Sequence, residues 1–226
     1  MDGDLGSAIR ITAALAAVTT AILLVAGTPL AWWLARSRSR WRTLVESVVA
    51  LPLVLPPTVL GFYLLVGLAP RGPIGEWWDR LGGDPLVFSF SGLVIGSVLY
   101  SLPFVVQPLR TGFAGVSART LEAAATLGAG PLDRFRSIVL PLAKRGFLAA
   151  AVLGFAHTVG EFGVVLMIGG NIPGRTRVLS IVVYDHVESL EYAAAHRLSL
   201  GLVAFSFLAL LVVYGLLGRG EAEVAG

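Results

Sequence analysis

Apolar residues run along this chain in long blocks, separated by short polar segments rich in arginine, glycine and proline. A helix that crosses a bilayer needs about 20 mainly apolar residues. Five blocks reach that length, at roughly 9–35, 44–68, 86–109, 147–168 and 198–217. They are predicted to be helices, because hydrocarbon offers no partner to the open backbone groups of an unpaired strand. The blocks are also too long and too continuous for the alternating strands of a membrane barrel.

The polar intervals predict an orientation, since short cytoplasmic loops collect arginine and lysine. Between the first two blocks stand Arg36, Arg38, Arg40 and Arg42 without an acid. Between the third and fourth stand Arg110, Arg119, Arg134, Arg136, Lys144 and Arg145. Both intervals are expected inside. The interval between blocks two and three balances Arg71 and Arg80 against Glu76, Asp79 and Asp84, and adds Trp77 and Trp78, which suit the membrane interface. It is expected outside, as is the N-terminus, which leaves the C-terminus in the cytoplasm. Arg175 and Arg177 then lie outside, against the rule. Trp32, Trp33 and Trp41 flank the inner boundary as interface anchors, and Glu46 is expected to pair with Arg42 or reach the interface.

The stretch 178–195, VLSIVVYDHVESLEYAAA, begins apolar and turns acidic. A short amphipathic helix on the outer face fits it. A sixth crossing, which would move the C-terminus outside, is the alternative.

Proline marks the second block with Pro52, Pro56 and Pro57. Each removes a helix hydrogen bond and kinks or breaks a helix. In a membrane such breaks survive where protein or water satisfies the freed groups, as along a pathway. Pro103 and Pro108 place a similar mark in the third block. Glu161 is the conspicuous acid inside a block. An intramembrane ionisable group points to function, and hydrogen bonding to His157 one turn earlier is expected.

Composition narrows the class. The chain has 226 residues, 56% hydrophobic and 14% charged, against about 25% charged in soluble domains. Mean hydropathy is +0.81. It has no cysteine, so disulfides and thiolate metal sites are unavailable. The net charge of +3 is small and its basic residues fall between apolar blocks, which argues against nucleic acid. The acidic start, MDGDLGS, followed by a long apolar run, predicts no cleavable signal peptide. Lys144 is the sole lysine and is followed by Arg145 and Gly146, so no Gly-Lys-Ser/Thr phosphate loop is present. No nucleophile–base spacing or metal-binding histidine pair occurs. No catalytic residue, metal site or cofactor is assigned to the chain.

The interval 110–146 is the most informative. Leu121, Ala124 and Leu127 recur at one-turn spacing and predict a helix over 117–127. Gly128 is suited to end it with a positive φ. Pro131 is suited to open the next helix, with Asp133 in its first turn. Two short helices at an angle are expected.

Within it, Glu122-Ala123-Ala124, then Gly128, then Ile138, Leu140 and Pro141 resemble the cytoplasmic "EAA" loop of ABC importer permeases, where an ATPase grips the membrane subunit. The resemblance makes Glu122 the motif glutamate and Gly128 the turn glycine, with Arg119, Arg134 and Arg136 available for charge contacts. A second stretch, HTVGEFGVVLMIGGNIPGRTRVLSIVVYDHVES, resembles the molybdate and tungstate permeases, as does PLAWWLARSRSRWRTLVESVVALPLVLPPTVLGFYLL near the start. Sulfate permeases share a Gly-Glu-Phe/Tyr-Gly run but diverge after the Asn-Ile-Pro segment.

The resemblance covers nearly the whole chain. It implies one all-α domain over 1–226, the transmembrane domain of a type I ABC importer. That domain has five spans, short cytoplasmic coupling helices and a short external amphipathic helix. It implies a homodimer in a bacterial inner membrane with two ATP-binding subunits, which bind the ATP and magnesium, and an external molybdate-binding protein. A dianion is costly in hydrocarbon and needs a wet path lined by hydroxyls and amides. Pro56, Pro57, Thr58, Thr158, Glu161 and Gly163 are the pathway or gate candidates, with Ser97, Ser101 and Gln107 as further polar lining. Glu161 repels an anion and is expected to shape a gate rather than bind. Molybdate and tungstate are too alike in size and charge to separate. Sulfate or thiosulfate transport is the alternative cargo. An ion-coupled carrier would need more intramembrane charges than Glu161, and a membrane enzyme would need a paired catalytic constellation.

Overall fold

The computed structural model of the chain describes residues 2–224, and no strand occurs among them. Helix α1 runs Asp2–Arg36 and α5 runs Phe90–Ala114. α5 is the central post, packed between α1 and α9 (Lys144–Gly160). Ser89 caps α5, its Oγ accepting the Gly92 N–H at 3.1 Å. Such a cap contributes about 1 kcal/mol. Pro103 and Pro108 lie inside α5 without breaking it. Helices in lipid gain little from burying apolar area, since lipid tails are as apolar as leucine; close packing holds them instead. Phe113 shows the device: it is fully buried, edge-on to Trp32 of α1 at 5.3 Å and to Phe147 of α9 at 5.6 Å.

Two of the expected spans are not continuous. The second block forms α2 (Trp41–Ala50), a single 3-10 turn at Leu51–Leu53 and α3 (Pro57–Leu68). The axis bends by 106° at the break. Consecutive Pro56 and Pro57 lack the N–H groups that would carry the helix through. α4 (Pro73–Arg80) follows beyond α3. The fourth block is split as well. α9 stops at Gly160, Glu161 is extended (ψ 132), and α10 (Gly163–Gly169) restarts after Phe162. Gly160 and Gly163 flank the break and are poor helix formers. The Ser180 hydroxyl holds the freed Glu161 carbonyl at 2.5 Å. Among the described residues three helices are long and apolar enough to cross a membrane singly, or up to five if each of two bent pairs, Trp41–Leu53 with Pro57–Arg80 and Pro131–Leu142 with Lys144–Gly160, is counted as one span.

Stretch 178–195 gives α11 (Leu179–Glu188), whose ten residues span only about 15 Å. A sixth crossing there is ruled out by length. The Leu179 N–H donates to Thr12 Oγ1 at 2.9 Å, which seats α11 on α1. Val178 and Ile181 pack with Leu15, Leu93 and Val165. The last helix, α12, begins at Tyr192, and Leu200, Val203, Phe207 and Leu211 stand exposed along it. That is the surface lipid requires.

Between α5 and α9 lie α6 (Ala118–Thr126), α7 (Pro131–Arg134), a wide five-residue turn at Phe135–Val139 and α8 (Leu140–Leu142). The end of the bundle that carries them is called the loop end below. At the opposite end Arg177 ties three segments together. Its Nε donates to Asn171 Oδ1 at 2.6 Å, and its guanidinium pairs with Asp4 at the start of α1. Asn171 Nδ2 in turn donates to Asp185 of α11 at 2.7 Å.

Candidate coupling loop and membrane break points

α6 ends in a Schellman turn, as its sequence predicts. Gly128 takes φ +85, its N–H donates to the Ala125 carbonyl at 3.0 Å, and the Ala129 N–H donates to Ala124 at 3.0 Å. Any side chain at 128 would be strained. The chain then turns through Gly130 and restarts at Pro131, with the Arg134 N–H donating to Gly130 at 2.9 Å. Leu121 and Ala124 face inward, partly covered, whereas Leu127 does not join them: it is 88% exposed. The Schellman turn rotates it off the packed face. Leu132 on the next helix is 61% exposed. Glu122, Arg119 and Arg136 are exposed beside them, and the Glu122 carboxylate has no hydrogen bond or ion pair among the described residues. Ala123 is exposed on α6, while Ile138, Leu140 and Pro141 lead into α9. Arg134 is different. It tucks into a hollow of about 290 Å³ lined by Trp32, Leu121, Pro131, Phe135 and Val139.

The loop is tied to the bundle by residues that the sequence marks only as boundary residues. Arg36 Nη2 donates to the carbonyls of Val116 at 2.6 Å and Phe113 at 3.3 Å, at and just beyond the end of α5. Its guanidinium lies 4.9 Å from the Trp32 ring centre. Trp32 meets Phe135 of the loop edge-on at 6.5 Å. The arginine-rich RSRSRWR run gave the only signal, and it does not say which arginine turns inward. Glu46 pairs with Arg110 of α5 and lies 3.9 Å from Arg42.

The two break points come together in space. A Cβ on Gly163 would lie 2.7 Å from Pro57 Cβ, and one on Gly61 would lie 2.7 Å from Met167 Cβ. α3 and α10, the halves beyond each break, therefore touch along backbone with no room for side chains. Pro56 and Thr58 are exposed at this junction. Thr158 is not: it is buried, donating to Gly154 O at 2.9 Å and meeting Ser101 Oγ at 3.0 Å. Its hydroxyl is engaged inside the bundle rather than open to a path.

Glu161 is 3% exposed, and neither carboxylate oxygen has a hydrogen-bond partner. Ser97 is near enough to interact, but its hydroxyl is also unsatisfied. The expected bond to His157 is absent. His157 Nδ1 meets Ser101 Oγ at 2.9 Å instead, and the ring stacks on Phe104 with centroids 3.8 Å apart. The helix break turns Glu161 away from the face that carries His157. No group of histidines and acids among the described residues could hold a metal ion.

Comparison with known proteins places this architecture. Residues 27–219 match the family model of the binding-protein-dependent transport system inner membrane component. The chain is similar to the molybdenum transport system permease protein ModB of Azotobacter vinelandii, 62% identical over 208 residues and 92% of each chain. It is 38% identical to the protein of the same name from Escherichia coli K12 over 183 residues, 80% of each chain. Among solved structures, a chain of a bacterial alginate ABC transporter in complex with a pentasaccharide-bound periplasmic protein superposes with TM-score 0.74 at 16% identity, covering 94% of this chain and 78% of that one. At that identity the likeness establishes the fold.

Proposed function

We infer the role of this chain from its kinship: it belongs to the family of binding-protein-dependent transport system inner membrane components. It is the membrane-spanning permease of an ABC importer, and its cargo is molybdate. Identity of 62% across 92% of the chain to a molybdenum permease carries this reading. The sulfate alternative has less support. The chain transports rather than catalyses, so its chemistry is mechanical: a loop to be pulled and a path to be opened.

The loop has the form that a partner ATPase needs. Glu122, Leu127 and Leu132 stand on the outer surface of two short helices whose inner faces are anchored by Arg134 and Arg36. Leucines this exposed at the end of a soluble loop favour a protein groove over water. Two ATP-binding subunits would each hold one such loop, and an external binding protein would deliver the anion at the opposite end. The loop end is then cytoplasmic and the Arg177 cluster external, with the chain in a bacterial inner membrane. Two copies of the permease enclose the path between them.

Each step follows from the contacts. ATP closes the ATPase pair and draws the loop. The pull passes through Arg36 and the Trp32–Phe113–Phe147 cluster to α1, α5 and α9. α3 and α10, joined at Gly61 and Gly163, move as one body about the breaks at Pro56 and Glu161. The Glu161 carboxylate adds no hydrogen bond to that joint, whose side-chain tie is the Ser180 hydroxyl on the Glu161 carbonyl.

The test is ATP hydrolysis by the assembled transporter in lipid vesicles. Molybdate-loaded binding protein should stimulate it, and the sulfate-soaked binding protein should not. Equal stimulation by both would transfer the cargo to the wider oxyanion class.

A further inference from the structure

Arg175 runs against the charge asymmetry of the chain, and its neighbour Arg177 is fully engaged by Asp4, Asn171 and Asp185. Arg175 is not. It stands exposed on the 170–178 segment beside Arg10 of α1, and the two guanidinium groups border one groove. The groove has a volume of about 480 Å³, and Ile11, Ala14, Phe90 and Gly174 complete its wall. No acid lines it, and neither arginine side chain has a hydrogen bond or ion pair among the described residues. Asp84 borders a neighbouring hollow with Arg175 but does not pair with it.

The depth of the groove is set by α1. Arg10 lies 26 residues before Arg36, which grips the end of α5 at the loop end. At 1.5 Å per residue that is about 39 Å along the helix. A hydrocarbon core is about 30 Å thick, and about 40–45 Å with both headgroup layers. Arg10 therefore reaches the headgroup layer opposite the loop end. Below it α1 turns an exposed apolar stripe outward, through Ala14, Val18 and Ile22. Two unpaired cations above an apolar wall at headgroup depth match one kind of occupant: a phosphate ester with acyl chains.

We propose that Arg10 and Arg175 form a binding site for the phosphate of an anionic phospholipid in the leaflet opposite the coupling loop. The lipid clamps the 170–178 segment, which carries Arg177 and leads into α11, against α1. The leaflet rests on the orientation given above; the phosphate chemistry does not.

The experiment uses the complete transporter, purified with phosphatidylglycerol and phosphatidylcholine offered in equal amounts, and counts retained lipid by native mass spectrometry. The wild type should retain phosphatidylglycerol in preference. Arg10→Ala and Arg175→Ala should each lower that preference about fivefold, the effect of one cation near a lipid surface. The double variant should abolish it. Arg10→Lys with Arg175→Lys should keep most of it, and Arg71→Ala, outside the groove, should keep all of it. Co-purification of the ATPase checks that each variant is assembled, with Arg175→Gln replacing any alanine variant that is not. Unchanged preference in the double variant would overturn the proposal. Displacement of phosphatidylglycerol by inorganic phosphate or molybdate would assign the site to a free oxyanion instead. Loss of binding-protein affinity with lipid retention intact would assign it to protein docking. Lipid counting does not depend on the transported ion, so failure here leaves the molybdate reading standing.

Discussion

Replacing Arg36 with methionine removes a guanidinium and keeps a long apolar stem against Trp32. Two hydrogen bonds are lost, one to the Val116 carbonyl at 2.6 Å and a longer one to Phe113 at 3.3 Å. A hydrogen bond to a charged group contributes about 1.5–3 kcal/mol, and more is lost when the abandoned partner stays buried. The longer bond counts for less, and the site is only partly buried, so the sum is about 2 kcal/mol. That is roughly a 30-fold shift toward a detached loop end. It corresponds to a melting point lower by about 4–8 °C for a chain of this size. Arg36→Lys should fall between: an ammonium has donors for both carbonyls, which the single Nη2 serves here, but it lacks the planar guanidinium that lies beside the Trp32 ring. The informative assay is the ratio of ATP hydrolysed to molybdate imported. If Arg36 transmits the pull, the methionine variant hydrolyses ATP with diminished transport while the ATPase stays bound. A variant that melts earlier but keeps the wild-type ratio would refute transmission and leave Arg36 a helix cap. A variant unchanged in both would refute the hydrogen-bond geometry.

The other predictions concern the loop and the break points. Glu122→Lys and Leu127→Ser alter exposed residues, so the permease should insert and fold normally while ATPase co-purification falls; unchanged co-purification and uptake would remove the coupling role. Gly163→Ala forces a methyl to 2.7 Å from Pro57 and should cost about 1–3 kcal/mol of overpacking, seen as a lower melting point with slowed uptake; full stability would show that α3 and α10 separate freely. Glu161→Gln keeps the shape of a side chain without partners, so assembly should survive while uptake slows; normal uptake would make Glu161 a packing residue.

Much of the fold is legible in the sequence because lipid imposes length. The apolar blocks locate the helices, and Gly128 and Pro131 mark the turn between α6 and α7 to the residue. Pro56 and Pro57 announce a break, although not a bend of 106°. The break at Glu161 is harder to read. Its flanking glycines are common in membrane helices, and the contact that holds it open, Ser180 to the Glu161 carbonyl, joins residues 19 apart in sequence. The same limit hides Arg36. Four arginines alternate with other residues, and only the folded end of α5 selects one. Helical spacing puts Leu127 on one face with Leu121 and Ala124, but that spacing stops applying at the Schellman turn and Leu127 is exposed. Thr158 and Pro56 look alike as pathway candidates in sequence, yet one is sealed in the bundle and the other exposed. Small side-chain differences in burial of that kind depend on contacts between spans.

The most direct test is uptake of radiolabelled molybdate into sealed vesicles holding this permease with its ATPase and binding protein. Uptake that requires ATP and persists under excess sulfate is expected. ATP-dependent uptake abolished by sulfate would contradict the assigned cargo, and molybdate entry without ATP would contradict the importer itself.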